Sequence, residues 1–192
     1  MRVLHAPANM AGQATILSAY LRELGVENDV LVFNKHPFGY KGETSLELKK
    51  KKWMIEKVAA LISNFLKCTI NYDVFHFHFG LTLLPNLVDL PVLKLMRKKV
   101  VMHYWGDDIR QNDISSGYTC LSLQELKEIY PNKNDEKMRK KVRTIDRYAD
   151  ITIVGDYALL PYSPKSKVIK QAIDLSLWNF VGQGPRRDSV KI

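Results

Sequence analysis

Cysteine is scarce in this chain, which has only Cys68 and Cys120 among its 192 residues. The two are far apart and form no C-x-x-C pair, so the sequence offers neither a cysteine zinc site nor a disulfide framework. Long apolar runs are lacking too, because two prolines and several polar residues interrupt the most apolar region, residues 81–96. The N-terminal apolar run is broken by His5 and Pro7, unlike a secretory signal. We therefore expect a cytoplasmic protein without a membrane span.

The motifs of several enzyme classes are also absent. There is no G-x-S-x-G elbow and no Walker A sequence, which disfavours hydrolases and P-loop proteins. Positive charge is what the chain has in excess, with 29 Lys and Arg against 20 Asp and Glu, for a net charge of +9. This excess suits nucleic acid, an anionic membrane surface or a phosphate-bearing small molecule. No known nucleic-acid-binding signature accompanies it, so nucleic acid ranks lowest.

Short apolar strands alternate with amphipathic helices along the chain. Residues 3–5, a helix over 13–24 ended by Gly25, and a strand over 29–33 form one β-α-β unit. Further strands are predicted at 73–79, 99–105, 151–154 and 167–170, with helices at 53–66 and 134–148 and a broken helix over 81–96. Six strands in this alternation predict an α/β fold with a doubly wound, mostly parallel, Rossmann-like sheet. We expect residues 1–181 to form this domain and 182–192 to be a linker and the first strand of another.

Ligands of such sheets bind beyond the carboxyl ends of the strands. After the first strand come Asn9, Gly12 and Gln13, where a glycine allows close backbone approach and a helix N-terminus offers free N–H groups to an anion. The alternative is that Gly12 only lets the chain turn into the helix.

A second group of polar side chains belongs to the strand at 73–79. Its phenylalanines point to one face and His76 and His78 to the other. Two imidazoles can begin a metal site, but zinc needs three or four protein ligands and no cysteine is near, so we expect no metal. We expect His76 to be a core residue bonded to a backbone carbonyl and His78 to approach the cleft.

The densest polar cluster follows the strand at 99–105. It consists of His103, Gly106, Asp107, Asp108 and Arg110. A histidine at the end of a buried strand suits general acid or base chemistry, because its pKa lies near neutrality. Either aspartate can orient the imidazole, receive a sugar hydroxyl or simply cap the following turn.

These strand-end segments resemble a known family when taken in order. The segments ANMAGQ, YDVFHFHFG, VVMHYWGDDIR, ADITIVGDYALLPYSP and VIKQAIDLSLW are similar to the N-terminal domain of glycosyltransferases of the GT-B fold, particularly the retaining group called family 4. The resemblance implies the N-terminal, acceptor-side half of such an enzyme. A nucleotide-sugar donor and a saccharide or lipid-linked acceptor would meet in a cleft against a C-terminal half, and no metal would be needed. The chain alone is then expected to be an incomplete catalyst.

The resemblance also assigns roles to residues. His103 matches the family's strand-end histidine near the acceptor and donor sugar, and Gly12 matches the loop that approaches the donor diphosphate. Asp108 matches the aspartate of a G-[ST]-D triplet, while Asp174 is retained where the family's Pro-Asn-Gly turn is replaced. We expect His103 to be catalytic and the following to bind donor or acceptor: Asn9, Gly12, Gln13, His78, Gly106, Asp107, Asp108, Arg110 and Asp174.

A lysine run precedes the second predicted helix. Lys49, Lys50, Lys51 and Lys52 are followed by Trp53 and an apolar helical face. This arrangement suits docking on anionic lipid at the inner face of the membrane, or it is a solvated loop before an ordinary core helix. Two other functions stay open, a non-catalytic module that binds a saccharide or phosphate ligand, and a basic membrane-surface adaptor.

Overall fold

The computed structural model describes residues 1–175, so the linker expected at 182–192 lies outside the described residues. Seven strands form its central sheet: β1 (Arg2–Ala6), β2 (Glu27–Val32), β3 (Glu43–Ser45), β4 (Val74–His78), β5 (Lys99–Tyr104), β6 (Ile151–Val154) and β7 (Lys167–Val168). Their order is β3-β2-β1-β4-β5-β6-β7, and every neighbouring pair is parallel. The predicted α/β fold with a Rossmann-like parallel sheet is confirmed.

Six α-helices connect these strands: α1 (Gln13–Glu23), α2 (Met54–Asn71), α3 (Asp89–Leu95), α4 (Asn112–Ser115), α5 (Leu123–Ile129) and α6 (Asp135–Tyr148). The chain turns out of α1 at Gly25, which has the left-handed φ of +78° that favours glycine. The helix predicted as broken over 81–96 is a 3-10 turn at Pro85–Leu87 followed by α3. Helix α2 runs on to Asn71, beyond its predicted end.

The sequence predicted six strands, and the structure has seven. The additional strand, β3, has the sequence ETS and lies at the sheet edge beside β2. An edge strand of three polar residues has no apolar run, and backbone hydrogen bonds to β2 are what hold it. Helices α4 and α5 were also not predicted.

One face of the sheet carries most of the core. Phe75 and Phe77 of β4 and Met102 of β5 point to this face and are completely buried. They belong to the same cluster as Leu93 of α3 and Ile145 of α6, which cover them. Helix α6 thus covers the sheet with its apolar side.

The opposite face is covered by α1, and it holds the histidines. Ala14 of α1 packs on Val30 and Val32 of β2. Since side chains alternate along a strand, His5 and His103 lie on this face, opposite the large core. The two faces therefore differ in chemistry, one apolar and the other partly imidazole.

Helix α2 departs from the prediction of an ordinary core helix. It buries Phe65, Cys68 and Thr69 against the sheet. The residues that we name the apolar stripe are all exposed, although a core helix would bury them: Ile55, Val58, Ile62, Leu66 and Ile70. The helix has two apolar sides, and the sheet takes the one with Phe65. No helix within residues 1–175 combines the length and apolar character needed to cross a bilayer.

Candidate functional site

A large cleft lies at the carboxyl edge of the sheet. The strand order reverses between β1 and β4, which is where parallel sheets of this kind bind ligands. The cleft has a volume of about 1300 Å³ and is built by the loops after β1, β2, β5, β6 and β7. Its lining includes Gly12, Gln13, Tyr40, Lys41, Tyr104, Trp105, Arg110, Gly155, Asp156, Lys170, Gln171, Ala172, Ile173 and Asp174.

The start of α1 forms one wall of the cleft. Gly12 has a φ of +75°, and a Cβ at this position would lie 3.0 Å from the ring of Tyr40. The amide of Gln13 donates to the carbonyl of Ala172 at 2.9 Å and accepts from its N–H at 3.0 Å. Gln13 therefore fixes the segment after β7 against α1, while Gly12 leaves room beside Tyr40.

Asn9 is committed to the fold. Its side-chain oxygen accepts from the N–H of Ala14 at 3.0 Å, and its amide nitrogen donates to Glu43 of β3 at 3.0 Å. Asn9 thus stabilises the first turn of α1 and the sheet edge. It does not line the cleft, contrary to the expectation that it binds donor or acceptor directly.

The loop after β5 forms the facing wall. Trp105 and Arg110 line the cleft. Gly106 has a φ of +130°, and a Cβ there would lie 2.7 Å from the guanidinium of Arg110, so the arginine packs directly over the glycine. Arg110 also forms an exposed ion pair with Asp107 at 3.4 Å. Gly106 and Asp107 position Arg110, and neither lines the cleft.

Asp108 acts as the cap of this loop. One of its carboxylate oxygens, Oδ1, accepts from the N–H of Trp105 at 2.9 Å and from that of Gly106 at 2.8 Å. The other oxygen, Oδ2, is buried without a hydrogen-bond partner among the described residues. Burial raises the pKa of Asp108 against the opposing effect of the two N–H groups. Of the roles weighed from the sequence, capping is the one that this geometry fits.

His103 lies beneath the cleft. It is 3% exposed, and its ring stacks on Trp105 with centroids 4.5 Å apart. Burial lowers the pKa of His103 to about 4, so the imidazole is neutral near pH 7. For His103 to contact a substrate directly, Trp105 would have to move. The sequence did not indicate that Trp105 covers His103.

Four histidines form a layer under the central strands, which we name the histidine layer. It consists of His5 of β1, His76 and His78 of β4, and His103 of β5. The rings of His76 and His78 are 4.4 Å apart, and that of His5 is 4.9 Å from His76. The N–H or lone pair at Nε2 of His76 has no partner among the described residues, so the expected backbone carbonyl bond is not present. His78 is completely buried and does not reach the cleft.

The cleft contains charges of both signs. Lys170 pairs with Asp156 at 2.9 Å, and both follow strands at this edge. The N–H of Ala158 and the ammonium of Lys170 hold the pKa of Asp156 below its usual range. Lys41 and Arg110 add positive charge at the lining.

Four of the ten residues expected to act on substrate line the cleft, and six do not. The lining ones are Gly12, Gln13, Arg110 and Asp174; the others are Asn9, His78, His103, Gly106, Asp107 and Asp108. Sequence reasoning missed Tyr40, Lys41, Asp156 and Lys170. Asp156 and Lys170 follow β6 and β7, so the rule that ligands bind after strand ends could have found them.

The comparison with known proteins adds no relative. No protein-family model and no curated protein matches this chain.

Proposed function

We propose that this chain is the acceptor-side half of a retaining glycosyltransferase, which binds a nucleotide sugar and a saccharide or lipid-linked acceptor in the cleft. The observation that carries the proposal is the cleft itself, at the carboxyl edge beside the strand-order reversal. Its volume of about 1300 Å³ exceeds the roughly 300–1000 Å³ typical of small-molecule pockets. Such a volume suits two substrates held side by side.

The diphosphate of the donor fits the wall formed by α1. The eleven-residue α1 begins at Gln13 with its N-terminus at the cleft. Although Asn9 takes the N–H of Ala14, a helix N-terminus still presents a partial positive charge to an anion. Gly12 has no side chain that would keep a phosphate away. Arg110 on the facing wall supplies a full positive charge.

The sugar and the acceptor have polar partners on the β5 side. The indole nitrogen of Trp105 is buried with no hydrogen-bond partner within residues 1–175, and Trp105 lines the cleft. Buried donors of this kind are rarely left unpaired, and sugar hydroxyls are suitable acceptors. Trp105 also offers a flat apolar surface for a sugar ring.

The transfer breaks the bond between the anomeric carbon and the donor phosphate and forms one to the acceptor oxygen. The negative charge that develops on the departing diphosphate is stabilised by the α1 N-terminus and Arg110, and the proton of the acceptor hydroxyl ends on that diphosphate. The resemblance gives His103 a catalytic role. For that role Trp105 has to move away from the imidazole of His103, so that the imidazole can contact the substrate.

The burial of His103 favours a second candidate function. With that imidazole beneath Trp105, the cleft can bind a saccharide or a phosphorylated ligand without transferring anything. This candidate uses the same Arg110 and α1 contacts. The binding module and the transferase are distinguished only by a turnover assay, in which the binding module transfers no sugar.

Binding and turnover together test both candidates. We expect uridine or guanosine diphosphate sugars, titrated calorimetrically, to bind the chain and to lose on the order of tenfold in affinity in Arg110→Gln, equivalent to about 1.4 kcal/mol. Arg143→Gln, which changes an exposed arginine of α6, is the matched control. Absence of binding by all nucleotide sugars and sugar phosphates, or equal loss in the control, refutes the cleft proposal.

Turnover of the sugar by the chain, or by any longer product of its gene, then selects the transferase over the binding module. His103→Gln tests the histidine in the same assay. Unchanged turnover in that variant removes His103 from the mechanism.

We further propose that α2 rests on an anionic membrane surface. The apolar stripe spans one side of the helix, with Ile55 79% and Ile62 47% exposed. Lys49, Lys50, Lys51 and Lys52 stand at its N-terminal end, and Lys52 lies 5.5 Å from the Trp53 ring. An apolar helix face beside a basic cluster suits the boundary between acyl chains and anionic headgroups.

Vesicle co-sedimentation tests this surface. We expect the chain to bind vesicles that contain phosphatidylglycerol and to bind neutral phosphatidylcholine vesicles weakly. The double variant Ile55→Gln, Ile62→Gln should lose binding, while Ile129→Gln, which changes an exposed isoleucine of α5, should retain it. Equal binding by both variants, or self-association through the stripe without lipid binding, refutes the membrane contact.

A further inference from the structure

The histidine layer has more ring nitrogens than hydrogen-bond partners. Among the described residues, five buried nitrogens lack a partner: Nε2 of His5, Nε2 of His76, Nδ1 of His78, and both Nδ1 and Nε2 of His103. Buried polar groups are rarely unsatisfied, so a group of them in one place requires an explanation, of which a bound ion or water is one. Neither Asp nor Glu is within this layer to accept their N–H groups.

Three of these imidazoles converge on one point. Ring nitrogens of His5, His76 and His78 all lie within 4.8 Å of one another. Nδ1 of His5 and Nε2 of His78 are 3.4 Å apart and are hydrogen-bonded to each other. The same separation is about that of two nitrogens on a tetrahedral zinc ion with Zn–N bonds of about 2.0–2.1 Å, so an ion would take the place of this hydrogen bond. The third nitrogen, on His76, lies within 4.8 Å of the other two.

Strand register explains why the sequence did not reveal this group. His5 and His76 are direct neighbours across β1 and β4, and His78 and His103 across β4 and β5. The expectation of no metal rested on counting two histidines, and β1 supplies the third. His103, with its ring 5.7 Å from that of His78, is near enough to provide a fourth nitrogen or to bond a metal-bound water.

We propose that His5, His76 and His78 form a binding site for a transition-metal ion, with Zn²⁺ as the best-suited ion. Three histidines are an established zinc ligand set. An all-imidazole site disfavours Mg²⁺ and Ca²⁺, which prefer oxygen ligands.

The layer lies in a buried environment. Burial, together with the neighbouring imidazoles, holds the pKa of His78 well below its usual value. Arg22 lies close enough to lower the pKa of His5 further. Its positive charge opposes the binding of any cation at this place.

The site is separate from the proposed transfer chemistry. None of its three histidines lines the cleft; the ring of His78 contacts that of His103, which stacks on the cleft residue Trp105. The ion would join β1 to β4 at the centre of the sheet. Its measurable effect is therefore on metal content and thermal stability, and failure of the glycosyltransferase proposal would leave it standing.

Metal binding by the chelator-treated, tag-free chain tests the proposal. We expect calorimetry with Zn²⁺ alone to give one ion per chain and Co²⁺ to give the visible bands of a tetrahedral nitrogen-ligated ion. His76→Gln, which changes the most accessible member of the layer, should weaken zinc binding by on the order of 100-fold. His36→Gln and Cys120→Ser, which change an exposed histidine and an exposed cysteine, should bind like the unchanged chain.

A second measurement needs no variant. X-ray absorption of the zinc-loaded chain should show three or four nitrogen ligands near 2.0 Å and no sulfur, and zinc should raise the melting temperature. Binding that is lost in His36→Gln or Cys120→Ser, a sulfur ligand, or no binding of Zn²⁺ and Co²⁺ by the folded chain overturns the proposal.

Discussion

Replacing Asp108 separates its role as a hydrogen-bond acceptor from its role as a charge. Oδ1 of Asp108 is the acceptor for the backbone N–H groups of Trp105 and Gly106. The residue is 3% exposed, so water cannot readily replace it in the folded protein. In Asp108→Ala both N–H groups lose their acceptor, whereas in Asp108→Asn the side-chain oxygen still provides one.

The size of the effect follows from the cost of burying an unpaired donor. Each buried N–H left without a partner costs about 1–3 kcal/mol, so the loss of two acceptor contacts in Asp108→Ala should lower the free energy of unfolding by about 2–6 kcal/mol. This is a large part of the roughly 5–15 kcal/mol that stabilises a typical domain. Asp108→Asn should stay within about 1 kcal/mol of the unchanged chain, because the main bonds persist.

The pH dependence gives an independent check of the same carboxyl. Burial raises the pKa of Asp108 in the folded state, so its contribution to stability is fully present below the pKa of the unfolded chain. It is lost as the pH rises through the raised pKa. Asp108→Asn cannot ionise, so its stability relative to the unchanged chain should increase as the pH rises from acid to neutral.

Urea unfolding followed by circular dichroism measures both effects, with the slope against denaturant checked for constancy. Asp108→Ala within about 1 kcal/mol of the unchanged chain would refute the capping argument. So would an Asn variant as unstable as the Ala variant, because charge and not hydrogen bonding would then dominate.

Three further predictions concern the fold around the cleft. Ile145→Ala should destabilise the chain by about 2–5 kcal/mol, since this α6 side chain is completely buried; a smaller loss in urea unfolding contradicts the packing of α6 on the sheet. Gly12→Ala should cost about 1–3 kcal/mol, because its φ is +75° and the new methyl group meets Tyr40 at 3.0 Å; calorimetric melting checks this, and an unchanged melting temperature argues against that geometry. For Asp150, burial alone would raise the pKa, but the N–H of Val100 and two lysines outweigh it and lower the pKa. The stabilisation that the ionised Asp150 gives the folded chain is present above the usual carboxyl pKa and is lost as the pH falls. The difference in free energy of unfolding between the unchanged chain and Asp150→Asn should therefore shrink below about pH 4. A constant difference across pH would show that the charge is not involved.

The sheet was predictable because its central strands are buried on both faces. Strands β5 and β6 are nearly continuous apolar runs, KVVMHY and ITIV, and such runs are typical of parallel sheets. Strand β3 escaped prediction because an edge strand held by backbone hydrogen bonds needs no apolar side chains. The two apolar sides of α2 gave no indication of which one the sheet would take.

The sequence predicted the location of the candidate site, at the carboxyl ends of the strands, better than it predicted the residues that line it. The strand-end rule led to Gly12 and Arg110, which line the cleft. It could not show that Trp105 would stack over His103, because a rotamer choice in three dimensions decides that contact. Nor could it join His5 to His76, since that pairing depends on the register between β1 and β4.

The contact between Gln13 and Ala172 also has a consequence for biosynthesis. Residues near the start of the chain form half of the cleft, and residues 170–174, close to the end of the described region, complete it. A ribosome that has released the chain through Val154 has made six of the seven strands, yet one wall of the cleft is still missing. Because domains generally fold as units, the cleft is complete only after residues 170–174 have been made, although the α1 and Arg110 walls are synthesised much earlier.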